Sequence, residues 1–190
     1  MGRCSAAAYW TAGVDRRISD NKYRDMEKGF EKIYGITERR DEVVRRGSEW
    51  YLYWGQGKDA QGDYVCRKVY DHKPDEDELK TDITDLINAT VDAKILSGYE
   101  WSGHKVWLSS ENQFNYKAVY DLACKDSSVL PVKFKLSDST EGKAVYYTFE
   151  ALEELTSFYR GAIKFINESV NEGWAEKDGI DAKKLLEGAE

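Results

Sequence analysis

Apolar positions along the chain fall into helical and strand-like periods. After Pro74 the segment DEDELKTDITDLINATVDAKILSG carries Leu79, Ile83, Leu86, Ile87, Val91 and Ile95 at steps of three and four, the stripe of an amphipathic helix. Asp75, Glu76, Asp77 and Glu78 stand at its start, where carboxylates meet the positive end of the helix dipole, and Gly98 supplies its stop. A second helix is predicted from Ser110, with Gln113 completing a capping box, through about Lys125; Phe114, Ala118, Leu122 and Tyr120 form its expected buried side. A third is predicted from Glu150 to Glu172 on Leu152, Leu155, Phe158, Tyr159, Ala162, Ile163, Ile166 and Val170. Gly173 ends it, Trp174 packs back on it, and IDAKKLL adds a short terminal turn.

Strand signals lie between and before these helices. EWYLYW (49–54) and DYVCRKVY (63–70) are rich in aromatic and β-branched residues and flank GQGKDAQG, which reads as an antiparallel hairpin with a mobile, glycine-rich tip. YEWSGHKVWLS reads as a tight hairpin of Tyr99–Trp101 and Lys105–Trp107 about Ser102-Gly103, with Trp101 and Trp107 near one another and buried against the third helix. LPVKFKL and AVYYTF form a further hairpin around SDSTEGK. Upstream, YRDMEKGFEKIYG puts Met26, Phe30 and Ile33 at helical spacing before Gly35, and ERRDEVVRR (38–46) predicts a short helix anchored on Val43 and Val44. AAAYW, near the amino terminus, fits either a short strand or a helix start, with a loop after it.

The resulting class is α+β, with short antiparallel hairpins packed against three longer helices. A smaller α+β lobe with a helix and an aromatic hairpin spans residues 1–72, and a helix-hairpin-helix-hairpin-helix module spans 73–190.

Composition narrows the function classes. With 41% hydrophobic and 33% charged residues, the 190-residue chain is too apolar for a disordered segment and too polar for a membrane protein. No run approaches the roughly 18 apolar residues that span a bilayer, and the first residues lack a secretory h-region, so a cytoplasmic origin is expected. The net charge of −7 disfavours a general nucleic-acid binder, since phosphate affinity rests on Lys and Arg. It is unevenly spread: residues 1–72 hold 14 Lys+Arg against 12 Asp+Glu, a net of +2, and residues 73–190 hold 14 against 23, a net of −9.

Chemistry-bearing motifs are absent from the sequence. Cys4, Cys66 and Cys124 are widely separated and read as reduced thiols, and His72 and His104 have no ligand spacing, so neither a metal nor a cofactor is expected. Gly2 is not followed by Ser or Thr at position six, where Ala6 stands, which argues against myristoylation. There is no G-x-S-x-G elbow, phosphate-binding loop or dinucleotide fingerprint. Glu100 and Glu111 flank aromatic residues, but a strand edge and a solvated helix start account for them, and the expected protein is not an enzyme. The informative excess is aromatic: 13 Tyr, 6 Trp and 6 Phe. Trp50, Trp54, Trp101, Trp107 and Trp174 have a core reading. In the alternative reading the first hairpin presents a sticky face, because Tyr and Trp dominate interface hot spots and stack on sugars. Its candidate partner-binding residues are Trp50, Tyr51, Tyr53, Trp54, Tyr64 and Tyr70.

From Asp71 to Asp181 the chain resembles an uncharacterised domain at the carboxy-terminal end of tail-associated proteins of tailed bacteriophages and of prophages of gut bacteria. The resemblance is carried by SGYEWSGHKVWLSSENQFN at Ser97–Asn115, by YTFE at Tyr147–Glu150 and by EGWAEKDGI at Glu172–Ile180, and it covers about 110 of 190 residues. It implies a structural component of a virion, in a tail, baseplate or fibre, assembled in the host bacterial cytoplasm, with other tail, fibre or neck proteins as partners and multimers common. It carries over no catalytic residue. A tail-fibre assembly chaperone and a carbohydrate-binding module are the alternatives.

Overall fold

The computed structural model describes residues 29–139 and 142–189. The AAAYW element, the loop after it, Gly2, Cys4 and the part of the first expected helix up to residue 28 lie outside them.

The fold is α+β. Strands β1 (Phe30–Tyr34), β2 (Glu42–Arg46), β3 (Glu49–Asp59) and β4 (Gly62–Tyr70) form an antiparallel sheet in the order β1-β4-β3-β2. Helix α1 (Glu76–Gly98) leads to a small hairpin, β5 (Glu100–Trp101) and β6 (His104–Lys105), and then to α2 (Ser110–Lys125). A second hairpin, β7 (Val132–Asp138) and β8 (Ala144–Phe149), precedes the long α3 (Leu152–Asp178) and the short α4 (Ala182–Glu187).

Both helices expected upstream of residue 47 are replaced by strands, as far as the described residues reach. In β2, Val43 pairs with Leu52 and is buried, whereas Val44 pairs with Tyr51 on the other face. Two adjacent β-branched residues thus serve opposite faces, which strand geometry allows and a helix does not. Phe30 is buried in β1, where successive residues alternate faces rather than following a helical stripe. β1 and β2 are the sheet's edges, and their heavy charge is what discourages edge-to-edge pairing.

The glycine-rich tip of the first hairpin is also strand. β3 continues through Asp59, with a bulge between Trp54 and Gly57, and turns at Ala60-Gln61. Gly57 lies opposite Tyr64, and a Cβ there would enter the tyrosine ring, so the glycine lets the ring lie flat across the strand.

The inner face of the sheet, with Phe30, Val43, Trp50, Leu52, Trp54 and Tyr70, packs on Leu79, Ile83, Leu86 and Ile87 of α1 and on Ala182 of α4. This core therefore joins residues from both sides of position 72. A second core gathers Tyr99, Val106, Leu108, Tyr116, Ala123, Leu136, Phe149, Leu155, Phe158 and Ala162, with Ile95 of α1 at its margin. The first half of α1 thus serves one core and its last turn the other. Asp75 caps α1, accepting a bond from the Glu78 N–H at 2.8 Å.

Gly173 does not end α3. It sits mid-helix where α3 meets α1, and a Cβ there would lie 2.5 Å from Val91 Cγ2. The missing side chain admits the neighbouring helix rather than stopping its own. Because the helix continues, Trp174 points to solvent, 59% exposed, instead of packing back.

Ser102 and Gly103, with φ of 48° and 77°, make the turn of the β5–β6 hairpin. Trp101 pairs with His104 and Glu100 with Lys105, so alternation puts Trp107 on the face opposite Trp101. Trp101 stacks into the second core on Tyr147, Phe149 and Phe158. Trp107 is only half-buried, and its backbone N–H donates to Leu136 O at 2.7 Å, tying the hairpin to β7. The cap of α2 is Ser109, one residue before the expected one, and Gln113 Nε2 donates to Leu108 O. The buried side of α2 is Tyr116, Val119, Tyr120 and Ala123; Phe114, Ala118 and Leu122 face solvent.

His72 turns the corner from β4 into α1 between Asp71 Oδ1 at 2.8 Å and Glu78 Oε2 at 3.0 Å. The Asp71 hydrogen bond, with Glu78 behind it, holds the imidazole above its ordinary value of 6.5. A raised folded value stabilises the fold below pH 6.5 and loses that contribution as pH rises through the shifted value. An NMR titration should place the His72 midpoint above 6.5, and His72→Gln should flatten this part of the stability profile. A midpoint at or below 6.5 means that the two contacts do not form in solution.

Candidate contact surface

The six aromatic residues expected to meet a partner do not share a face. Trp50, Trp54 and Tyr70 alternate onto the inner face of the sheet and are buried in its core. Tyr53 lies on the outer face but is 3% exposed. Only Tyr51 and Tyr64 are half-exposed, and they belong to opposite faces. The correction follows from alternation: a hairpin this rich in aromatics supplies one face to the core before it offers any to a partner.

The buried members hold the molecule together. Trp54 Nε1 donates to Glu176 Oε1 of α3 at 3.1 Å, and the same oxygen accepts from Arg39 Nη2 at 2.6 Å. Arg39 also bonds Asp41 and lies over the Trp54 ring, 5.5 Å from its centroid. Asp41 in turn accepts from the Gly55 N–H at 2.8 Å, fixing the start of the bulge. Tyr70 donates to Asp82 Oδ2 at 2.7 Å, and burial, with that carboxylate beside it, pushes its phenol well above the ordinary tyrosine range.

The outer face is built from cations seated on rings. Tyr51 lies between Arg46 and Arg67, whose guanidinium carbons are 5.6 Å and 5.4 Å from its centroid, and its hydroxyl donates to Glu49 at 2.5 Å. That bond to Glu49 raises the Tyr51 phenol above its ordinary value. Arg67 is forked onto Glu31 Oε1 through Nε at 2.8 Å and Nη2 at 2.5 Å. Arg40 covers Tyr53 at 4.5 Å and pairs with Glu42. Val69, opposite Tyr51, is exposed. Arg40 and Arg67 are each oriented by a carboxylate and a ring, and Arg46 by the Tyr51 ring, so the surface is ordered before any partner arrives, which lowers the entropic cost of binding.

Tyr64 belongs to a second cluster, where β1, β4 and the end of β3 meet. Lys32 sits 4.3 Å from the Tyr64 centroid and pairs with Asp59 at 3.1 Å; Tyr34 donates to Asp59 at 3.0 Å and meets Tyr64 edge to face. The Gln61 N–H, then Lys32 and Tyr34, hold the Asp59 carboxyl below its ordinary value. Arg40, Arg46 and Arg67, the cationic half of the outer face, stand outside the six contact residues expected from the sequence. Register brings two of them there: Arg46 of β2 and Arg67 of β4 reach Tyr51 because those strands flank β3, and Arg40, just before β2, reaches Tyr53.

The acid-base candidates are dispersed. Glu100 pairs with Lys105 at 2.8 Å, which holds its carboxyl below the ordinary value, the opposite direction from a general acid. Glu111 is exposed in the first turn of α2. Among the described residues, no three His, Cys, Asp or Glu side chains gather as a metal site requires. A shallow depression runs along Tyr159, Arg160, Ile163, Lys164, Asn167, Glu168 and Asn171, all on α3, and is the relief of a single helix surface. No described helix is long and apolar enough to cross a membrane. Compared with known proteins, the chain matches no family model, no curated protein and no solved structure.

Proposed function

We propose that the protein is a non-catalytic structural component of a bacteriophage virion, associated with tail, baseplate or fibre proteins and acting through protein contacts. The observation that carries this reading is the outer face of the amino-terminal sheet: Tyr51 between Arg46 and Arg67, Arg40 over Tyr53, and the exposed Val69 beside them. Tyrosine and arginine are the residue types that concentrate binding energy at protein interfaces. The resemblance of Ser97–Asn115, Tyr147–Glu150 and Glu172–Ile180 to tail-associated phage proteins supplies the setting. Those segments form the β5–β6 hairpin with the start of α2, the end of β8, and the last turns of α3.

Mass spectrometry of purified particles from the phage or induced prophage that encodes the chain should find it at fixed stoichiometry. Its absence from finished particles overturns the virion reading, and co-purification with an unassembled fibre alone replaces it with the assembly-chaperone reading. Tyr51→Ala combined with Arg67→Ala should reduce incorporation at least about tenfold, the scale of one interface hot spot. Undiminished incorporation would move the contact away from this face.

A further inference from the structure

Helix α2 has two apolar faces. Tyr116, Val119, Tyr120 and Ala123 enter the second core, while Phe114, Ala118 and Leu122 follow one another at steps of four along the solvent side. Phe114 is 71% and Leu122 51% exposed. At about 100° per residue the solvent stripe also includes Glu111 and Lys125 and lies roughly opposite the buried one. Both charges are exposed.

The order of these five residues is symmetric about Ala118. Phe114 stands four positions before it and Leu122 four after; Glu111 stands seven before and Lys125 seven after. From this we infer that the stripe is a self-complementary docking face, occupied by α2 of a second copy of the chain running antiparallel across a two-fold axis at Ala118. Such an axis sets each residue against the one equally far on the other side of Ala118. Phe114 of one copy meets Leu122 of the other, and Glu111 meets Lys125, each contact occurring twice, as an isologous interface requires. The small side chain at the crossing point lets the helices approach closely. Asn115 and Asp121, three positions either side, face one another at the rim, where Lys117 already holds one Asp121 oxygen at 2.6 Å and Asn115 of the other copy meets the second. Antiparallel alignment also opposes the two helix dipoles favourably. A single copy gains nothing from this order: an amphipathic surface helix needs one apolar stripe, and its solvent side is ordinarily polar.

The inference does not rest on the virion reading, since the association is a property of the isolated chain. The face is small, so the dimer should be weak, with a dissociation constant above about 1 µM. Sedimentation equilibrium of the full chain across a concentration series should show a monomer–dimer equilibrium. Phe114→Asp should leave only monomer. Glu111→Lys alone should weaken association roughly five- to tenfold by setting lysine against lysine twice, and Lys125→Glu alone should do the same with glutamates. The double variant E111K/K125E restores both pairs with reversed sign and should bring the dissociation constant back to within about twofold of the original. All three substituted positions are exposed, so every variant should remain folded, as cooperative thermal unfolding would show. A chain that stays monomeric throughout, a dimer that survives Phe114→Asp, or a double variant no better than the single ones overturns the proposal.

Discussion

Replacing Phe158 by alanine is expected to lower the free energy of unfolding by about 3–5 kcal/mol, the range for truncating a phenylalanine in a closed core. Phe158 is fully buried and is the ring that the others share. Its centroid lies 4.9 Å from Phe149, 5.1 Å from Tyr116, 5.5 Å from Trp101, and 6.1 Å from both Tyr99 and Phe134. Those neighbours come from β8, α2, β5, the link after α1, and β7, so no single element can move in to fill the space. Its backbone carbonyl also accepts the Tyr99 hydroxyl at 3.1 Å, which keeps that ring seated. Trp101 is the less informative choice, because its indole N–H is buried without a partner among the described residues, and truncation would relieve that penalty while opening a cavity. Phe114→Ala is the matched control: the same side chain on an exposed helix position should shift stability by no more than about 0.5–1 kcal/mol. Guanidinium unfolding of both variants measures the contrast. A Phe158→Ala loss below about 1 kcal/mol would mean that the second core is not packed as described.

The same contrast shows which parts of the fold were legible in the sequence. α1 and α3 were readable because each has one apolar stripe and a polar remainder. Phe114, Ala118 and Leu122 look like a buried side because α2 carries two apolar stripes, and periodicity cannot say which one meets the rest of the protein. β1 and β2 were hidden by the charges that protect an edge strand, which left Val43 and Val44 looking like the anchors of a helix. Glycine misled twice for one reason. At Gly57 and Gly173 it marks the close approach of a Tyr64 ring and of Val91, whereas in sequence a glycine at either place looks like a break in structure. The contact surface was legible only in kind. The aromatic excess points to the first hairpin, but which of its rings face outward depends on a register set by the inner partners of Trp50, Leu52 and Trp54, and the arginines that complete the surface come from β2, the segment just before it, and β4.

Asp82→Ala should be the most damaging change to a polar group of the other core, with an expected loss of about 2–4 kcal/mol. Lys68 is paired with Leu52, so alternation directs it to the inner face, among apolar side chains. It is tolerated there because Asp82 of α1 meets its ammonium at 2.6 Å, while the Tyr70 hydroxyl donates to the same carboxylate oxygen. The Phe30 and Tyr70 rings lie 6.0 Å and 5.2 Å from the ammonium and favour its charge. Removing the carboxylate leaves a cation and a hydroxyl at the sheet–helix boundary with no acceptor. Side-chain exposures of 22% for Lys68 and 17% for Asp82 keep the loss below that of a fully buried pair, since the lysine can turn partly toward water. Tyr70→Phe removes only one neutral donor and should cost about 1 kcal/mol. Lys68→Met keeps most of the stem and discards the charge, so the double variant K68M/D82A should recover at least half of the Asp82→Ala loss. The cycle isolates the charge: if the double variant is as unstable as the two single losses added together, Asp82 acts on the α1 helix and not on Lys68, and the ion pair does not join sheet to helix.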